Sequence, residues 1–178
     1  MRKDSIEKIR IRNEVIEEVK DEICRTHVNG GVIIECFQIH NEEVLHTPDF
    51  IEENAAYFMS ILTSEDIKAA IPQLYKGCHS YFQPTFTPCC QFTVDGGIAR
   101  SIYCGGAYER FYGTPKEAKK LAEKLCDVMF EDRLFDIEAY KTNEAWCSWF
   151  YDVAWDDTWF IIDKKLKRFW LICITDTD

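Results

Sequence analysis

The most distinctive pattern of apolar and polar positions lies between Trp155 and Asp178. Thr158 to Ile162 and Phe169 to Ile174 are apolar at nearly every position, and the charged run Asp163-Lys-Lys-Leu-Lys-Arg168 separates them. Short aromatic and β-branched runs around a polar turn predict a β-hairpin. Alternate side chains of a strand face opposite sides of a sheet. Strands with no polar face are therefore covered on both sides, or covered on one and adhesive on the other. Placing Asp163 opposite Arg168 sets Thr158 opposite Cys173 and brings Asp156 near Thr175. Asp156, Asp157, Asp176, Asp178 and the terminal carboxylate then gather at the open end of the hairpin, with Trp155 beside them.

Elsewhere the pattern changes period. Ile6, Ile9, Ile16, Val19 and Ile23 recur at helical spacing and predict an amphipathic helix over residues 4–25. Asn29-Gly30-Gly31 ends it, and Val32 to Ile39 reads as a strand. Asp49 and Glu52 have capping-box spacing for a helix reaching about Leu62. Thr63-Ser64-Glu65-Asp66 starts a shorter helix running to about Tyr75, with Pro72 late in it. Residues 77–88 read as irregular, broken by Pro84 and Pro88.

Gln91–Val94 and Ile98–Cys104 around Asp95-Gly96-Gly97 predict a second hairpin, because Asp-Gly favours a two-residue turn. Thr114-Pro115-Lys116-Glu117 is the strongest local signal: an N-cap, a proline at the first helical position and a capping box, opening a helix to about Phe130. Glu131 to Glu144 reads as a polar connection. Ala145 to Trp155 alternates and predicts a long strand leading into the hairpin. The sum is an α+β single domain over residues 1–178. It has a mostly antiparallel sheet of about six strands, helices packed mainly on one face, and a C-terminal three-strand meander.

Composition narrows function by exclusion. The net charge is −10 over 178 residues, and Thr26 to Ile67 contains no Lys or Arg but eight acidic residues. Such a chain is a poor ligand for phosphate backbones, so no nucleic-acid partner is expected; its field favours cationic partners. No stretch reaches membrane-span length, and the start lacks the apolar core of a signal peptide. Nine Cys without framework spacing point to free thiols in a reducing cytoplasm.

No chemical motif stands out. The glycine pairs are turn residues rather than phosphate loops, no Cys-x2-Cys or His-x3-His occurs, and no cofactor is predicted. Cys78 beside His79 is the one thiol–base neighbour worth testing. All five Trp lie between Trp146 and Trp170, and aromatic side chains are the usual anchors of interfaces. The expectation is a non-enzymatic protein-binding module for a basic partner. In general character it is similar to the small immunity proteins with which bacteria neutralise toxins. Its expected binding residues are Asp156, Asp157, Asp176, Asp178 and Trp155. One alternative is a divalent-cation-dependent enzyme using the same carboxylates. Another is a homodimer or larger homo-oligomer that buries the hairpin against a second copy.

Overall fold

The computed structural model describes residues 5–76 and 83–178. The hairpin is present as predicted. Strands β5 (Asp157–Asp163) and β6 (Arg168–Thr175) pair with Asp163 opposite Arg168 and Thr158 opposite Cys173. They form the middle of a six-stranded antiparallel sheet, flanked by β2 (Gly31–Ile39) and β1 (Ile6–Ile9) on one side and by β4 (Ile137–Thr142) and β3 (Thr87–Cys89) on the other. Strands β4, β5 and β6 are consecutive neighbours, which makes the C-terminal meander.

Both faces of the hairpin are covered within the chain. Trp159, Ile161, Trp170, Ile172 and Ile174 pack under three helices: α1 (Glu14–Thr26), α4 (Val94–Cys104) and α5 (Pro115–Phe130). Phe160, Ile162, Phe169, Leu171 and Cys173 pack under α2 (Ile51–Leu62), α3 (Glu65–Ala70) and the irregular segment that carries Trp146 and Phe150. On this second face Phe37, Phe169 and Phe160 stack in a row across β2, β6 and β5, with ring centroids 4.9 and 4.4 Å apart. Phe58 of α2 closes over Phe160 at 4.9 Å.

Local signals account for most helix ends. Asn13 caps α1 by accepting from Val15 N, Ser64 caps α3 by accepting from Ile67 N, and Thr114 with Glu117 forms the capping box of α5. Pro72 opens a separate 3-10 turn, residues Pro72–Tyr75, instead of distorting a helix.

Six expectations are corrected. Residues 4–25 are not one helix: Ile6 and Ile9, three apart, sit on opposite faces of strand β1, where buried Ile6 joins one core and half-buried Ile9 packs against the other. The Asp49–Glu52 box does not form, since Phe50 occupies the N-cap of α2 without a side-chain bond. The Asp95-Gly96-Gly97 hairpin is instead helix α4, where Val94, Ile98 and Ile102 line one buried face at four-residue spacing. Gly97 lies against the sheet there, and a Cβ on it would sit 3.4 Å from the Trp159 indole. The polar connection after Phe130 contains β4, and the residues expected to be irregular contain β3. Ala145–Trp155 is irregular rather than a strand. Trp146 and Phe150 turn inward while Tyr151 points to solvent, and Asp152 has a positive φ of 59°.

Helix and hairpin readings of Gly96 make opposite forecasts. In α4 it is exposed, and an added Cβ would meet only Lys119 Nζ, at an unstrained 3.8 Å. Gly96→Ala should stabilise the protein by about 0.5–1 kcal/mol through helix propensity, read as a raised denaturation midpoint. In a turn needing positive φ the same change would destabilise.

Candidate functional site

Both ends of the hairpin bury carboxylates, each in a different way. At the closed end Asp163 is fully buried. Arg133 Nε donates to it at 3.0 Å, Arg168 Nε lies 3.6 Å away, and Leu166 N of the turn donates to its other oxygen at 2.9 Å. This is a fold-holding ion cluster.

The open end gathers the residues singled out in the sequence. Asp156, Asp157 and Asp176 are all buried there, Trp155 is half-buried and Asp178 is exposed. Asp156 Oδ1 accepts from Thr175 Oγ1 at 2.5 Å, as the register implied, and Oδ2 accepts from Val153 N at 3.1 Å. Burial pushes its carboxyl above the usual aspartate range, while the bonds from Thr175, Val153, Asp152 and Tyr151 pull the other way. Asp157 accepts from Ser101 Oγ at 2.6 Å and pairs with Lys141 Nζ at 2.6 Å, and Asn143 Nδ2 donates to it too. Asp176 accepts from Asn29 N at 2.8 Å and from Ala107 N at 2.7 Å. Gly106 permits that last contact, because a Cβ there would lie 2.0 Å from Asp176 Oδ2.

Each aspartate therefore ties a different stretch of chain to the hairpin. Asp176 holds the 27–30 turn and the 105–108 loop; Asp156 holds the 151–153 turn; Asp157 holds α4 and the end of β4. Their oxygens are occupied by the chain's own donors. Among the described residues no group of three or more His, Cys, Asp or Glu is arranged to hold a metal ion.

The surface above these anchors is apolar and aromatic. Val28, Tyr108 and Tyr151 are 52%, 63% and 51% exposed. Their loops are tied together: Asn29 and Ala107, next in the chain to Val28 and Tyr108, both donate to Asp176, and Tyr151 Oη donates to Asn29 O at 3.5 Å. Exposed Asp152 and Asp178 flank them. Sequence reasoning missed Val28 and Tyr108, and it put Tyr151 on a strand face. The signal was present as loop punctuation, in Asn29-Gly30-Gly31 and Gly105-Gly106.

Beneath the patch His27 is buried, its Nδ1 3.1 Å from Ile23 O and 3.0 Å from Thr26 Oγ1. Burial lowers its pKa from the usual value, opposed by the Ile23 bond and by the charges of Asp176 and Asp157. The thiols offer no activated nucleophile among these: burial pushes Cys36, Cys126 and Cys147 up to about 12 and Cys89 to about 11. Eight cysteines among the described residues are free. Cys78 and His79 lie outside the described residues. Among the described residues no helix is long and apolar enough to cross a membrane. Compared with known proteins, the chain matches no family model, and no curated protein has a sequence that matches it.

Two tests follow from the anchors. Asp176→Ala leaves two backbone donors unpaired and should cost about 2–4 kcal/mol, with faster hydrogen exchange at the amides of Asn29 and Ala107. His27 gives a pH signature. Its folded pKa is depressed, so below about pH 6.5 the unfolded chain takes up a proton that the folded one refuses, and stability falls with pH. His27→Gln should flatten the loss of melting temperature between pH 7 and pH 5; an unchanged slope would place the acid sensitivity elsewhere.

Proposed function

We propose that the chain is a non-enzymatic binding module that receives a basic protein partner at the open end of the hairpin. The observation carrying this reading is the exposed patch of Val28, Tyr108 and Tyr151 beside Asp152 and Asp178, held on loops that buried aspartates pin in place. Amphipathic tyrosines on a rigid support lose little freedom on binding, and aromatic anchors dominate interface energetics. Half-buried Trp155, next to Asp156 in the chain, is assigned to the same surface in this reading.

Charge supports the choice of partner. Beyond Val28 the chain runs to Ile67 without Lys or Arg, and Glu52 and Glu53 stand exposed on the first turn of α2 next to exposed Phe50 and Ile51. That field draws in a cationic surface, and it is screened beyond about 8–10 Å at physiological salt. Asp156, Asp157 and Asp176 act in this reading as supports for the binding loops, not as contacts. The same occupancy of their oxygens gives the cation-dependent alternative no support.

Affinity capture from extracts of the source cells tests the reading with matched variants. The wild type should retain a specific protein of high isoelectric point, released by raised salt. Tyr108→Ala and Tyr151→Ala, both folded by circular dichroism, should each lose at least about tenfold in affinity, equal to 1.4 kcal/mol. Retention that ignores both substitutions, or no specific retention at all, would refute it.

A further inference from the structure

Strand β2 is nine residues long, yet β1 covers only Cys36 to Ile39. On the other side β6 pairs it without a bulge from Gly31 to Gln38. Ile39 N donates to Lys167 O, which lies on the β6 side. Backbone groups alternate sides along a strand, so odd-numbered residues of β2 turn toward β6 and even-numbered ones turn away. Past the end of β1 the even positions are Ile34 and Val32. Their N–H and C=O groups face a side where no described strand pairs with them.

A groove of about 1350 Å³ opens there, between Ile34–Cys36, the 10–13 linker and the flank of α1. Trp170 lines it at 1% exposure, and its indole Nε1 is a buried donor without an acceptor. The charges around the groove divide into two sets. Lys8 pairs with Glu35, and Lys20 with Glu17. Arg10 and Arg12 on the linker, and Glu14, Glu18 and Asp21 on the helix, have no ion pair among the described residues.

We propose that a second copy of this chain fills the open run of β2. The two β2 strands pair antiparallel about a two-fold axis, Val32 of one opposite Ile34 of the other, and the sheet continues across the dimer. Two features favour a copy over a foreign strand. In this register Gly31 of the incoming strand falls opposite Glu35, and β1 ends at Cys36. The incoming β2 therefore starts where β1 stops, and its Asn29-Gly30 turn carries the chain away. The groove also holds unpaired charges of both signs, which is what a self-complementary two-fold contact requires. The arriving strand brings carbonyl acceptors into the groove that Trp170 lines. This contact uses the side of the sheet rather than the loops proposed for the partner, so the two readings stand or fall separately.

Light scattering from micromolar to near-millimolar concentration tests it. The wild type should reach twice the 20.9 kDa chain mass. Arg10→Glu with Arg12→Glu should be monomeric, as should Glu18→Arg with Asp21→Arg, and an equimolar mixture of the two should recover the dimer. Val32→Pro removes an edge donor and should also be monomeric; the charge exchange decides the matter if that variant misfolds. A wild type that stays monomeric throughout overturns the proposal and leaves the edge to a strand of another protein. A dimer that survives charge reversal, or a mixture that stays monomeric, overturns it as well.

Discussion

Everything in this fold answers to two adjacent strands that lack a polar face. Strands β5 and β6 are buried along almost their whole length on both sides. Each large side chain buried this way contributes about 1.5–3 kcal/mol, and leaving either face wet would forfeit half of it. The pair therefore occupies the centre of the sheet, with three helices on one face and two helices plus the 143–156 segment on the other. Covering both faces inside one chain removes the reason for a hairpin-to-hairpin oligomer. It also makes the ends of the hairpin the places where burial must stop.

How burial stops differs between the two ends. At the turn, Asp163 is sealed by two arginines, both of which also donate to Met129 O. Removing one partner of so buried an ion costs about 3–5 kcal/mol, so the cluster fixes the turn against α5. At the open end the aspartates are satisfied mainly by loop backbone N–H groups and by neutral side chains of α4 and β6, with Lys141 paired to Asp157. A carboxylate accepting from a loop's backbone dictates that loop's path. The open end is thus a set of connections fixed from below, with aromatic side chains on top.

The hairpin register was legible because three independent signals agreed: turn charge, run length and strand composition. The α5 cap was legible because its signal is local. The failures share a cause, which is a short pattern that fits two periods. Ile6 and Ile9 satisfy helical spacing, and equally a strand whose two end residues pack on opposite faces of the sheet. Asp95-Gly96-Gly97 looks like a turn until Val94, Ile98 and Ile102 are read together across it. Gly97 is there because α4 lies close to Trp159, a tertiary reason invisible in the local pattern. At the open end, sequence brought the right residues together with the wrong part to play. Pairing predicts proximity, but whether carboxylates meet a ligand or a backbone amide depends on loops that converge from four distant stretches of chain.

The two edges of the sheet are protected unequally. Strand β3 is three residues long and carries Pro88 in its middle, a combination that blunts strand addition. On the other edge β1 is short as well, but behind it β2 continues for five more residues without Pro, Lys or a bulge. A bare run of this kind is an aggregation hazard unless something specific covers it. Selection against uncontrolled pairing would be expected to act on both edges alike. That it left one bare, with a groove and unpaired charges alongside, argues that this edge is used.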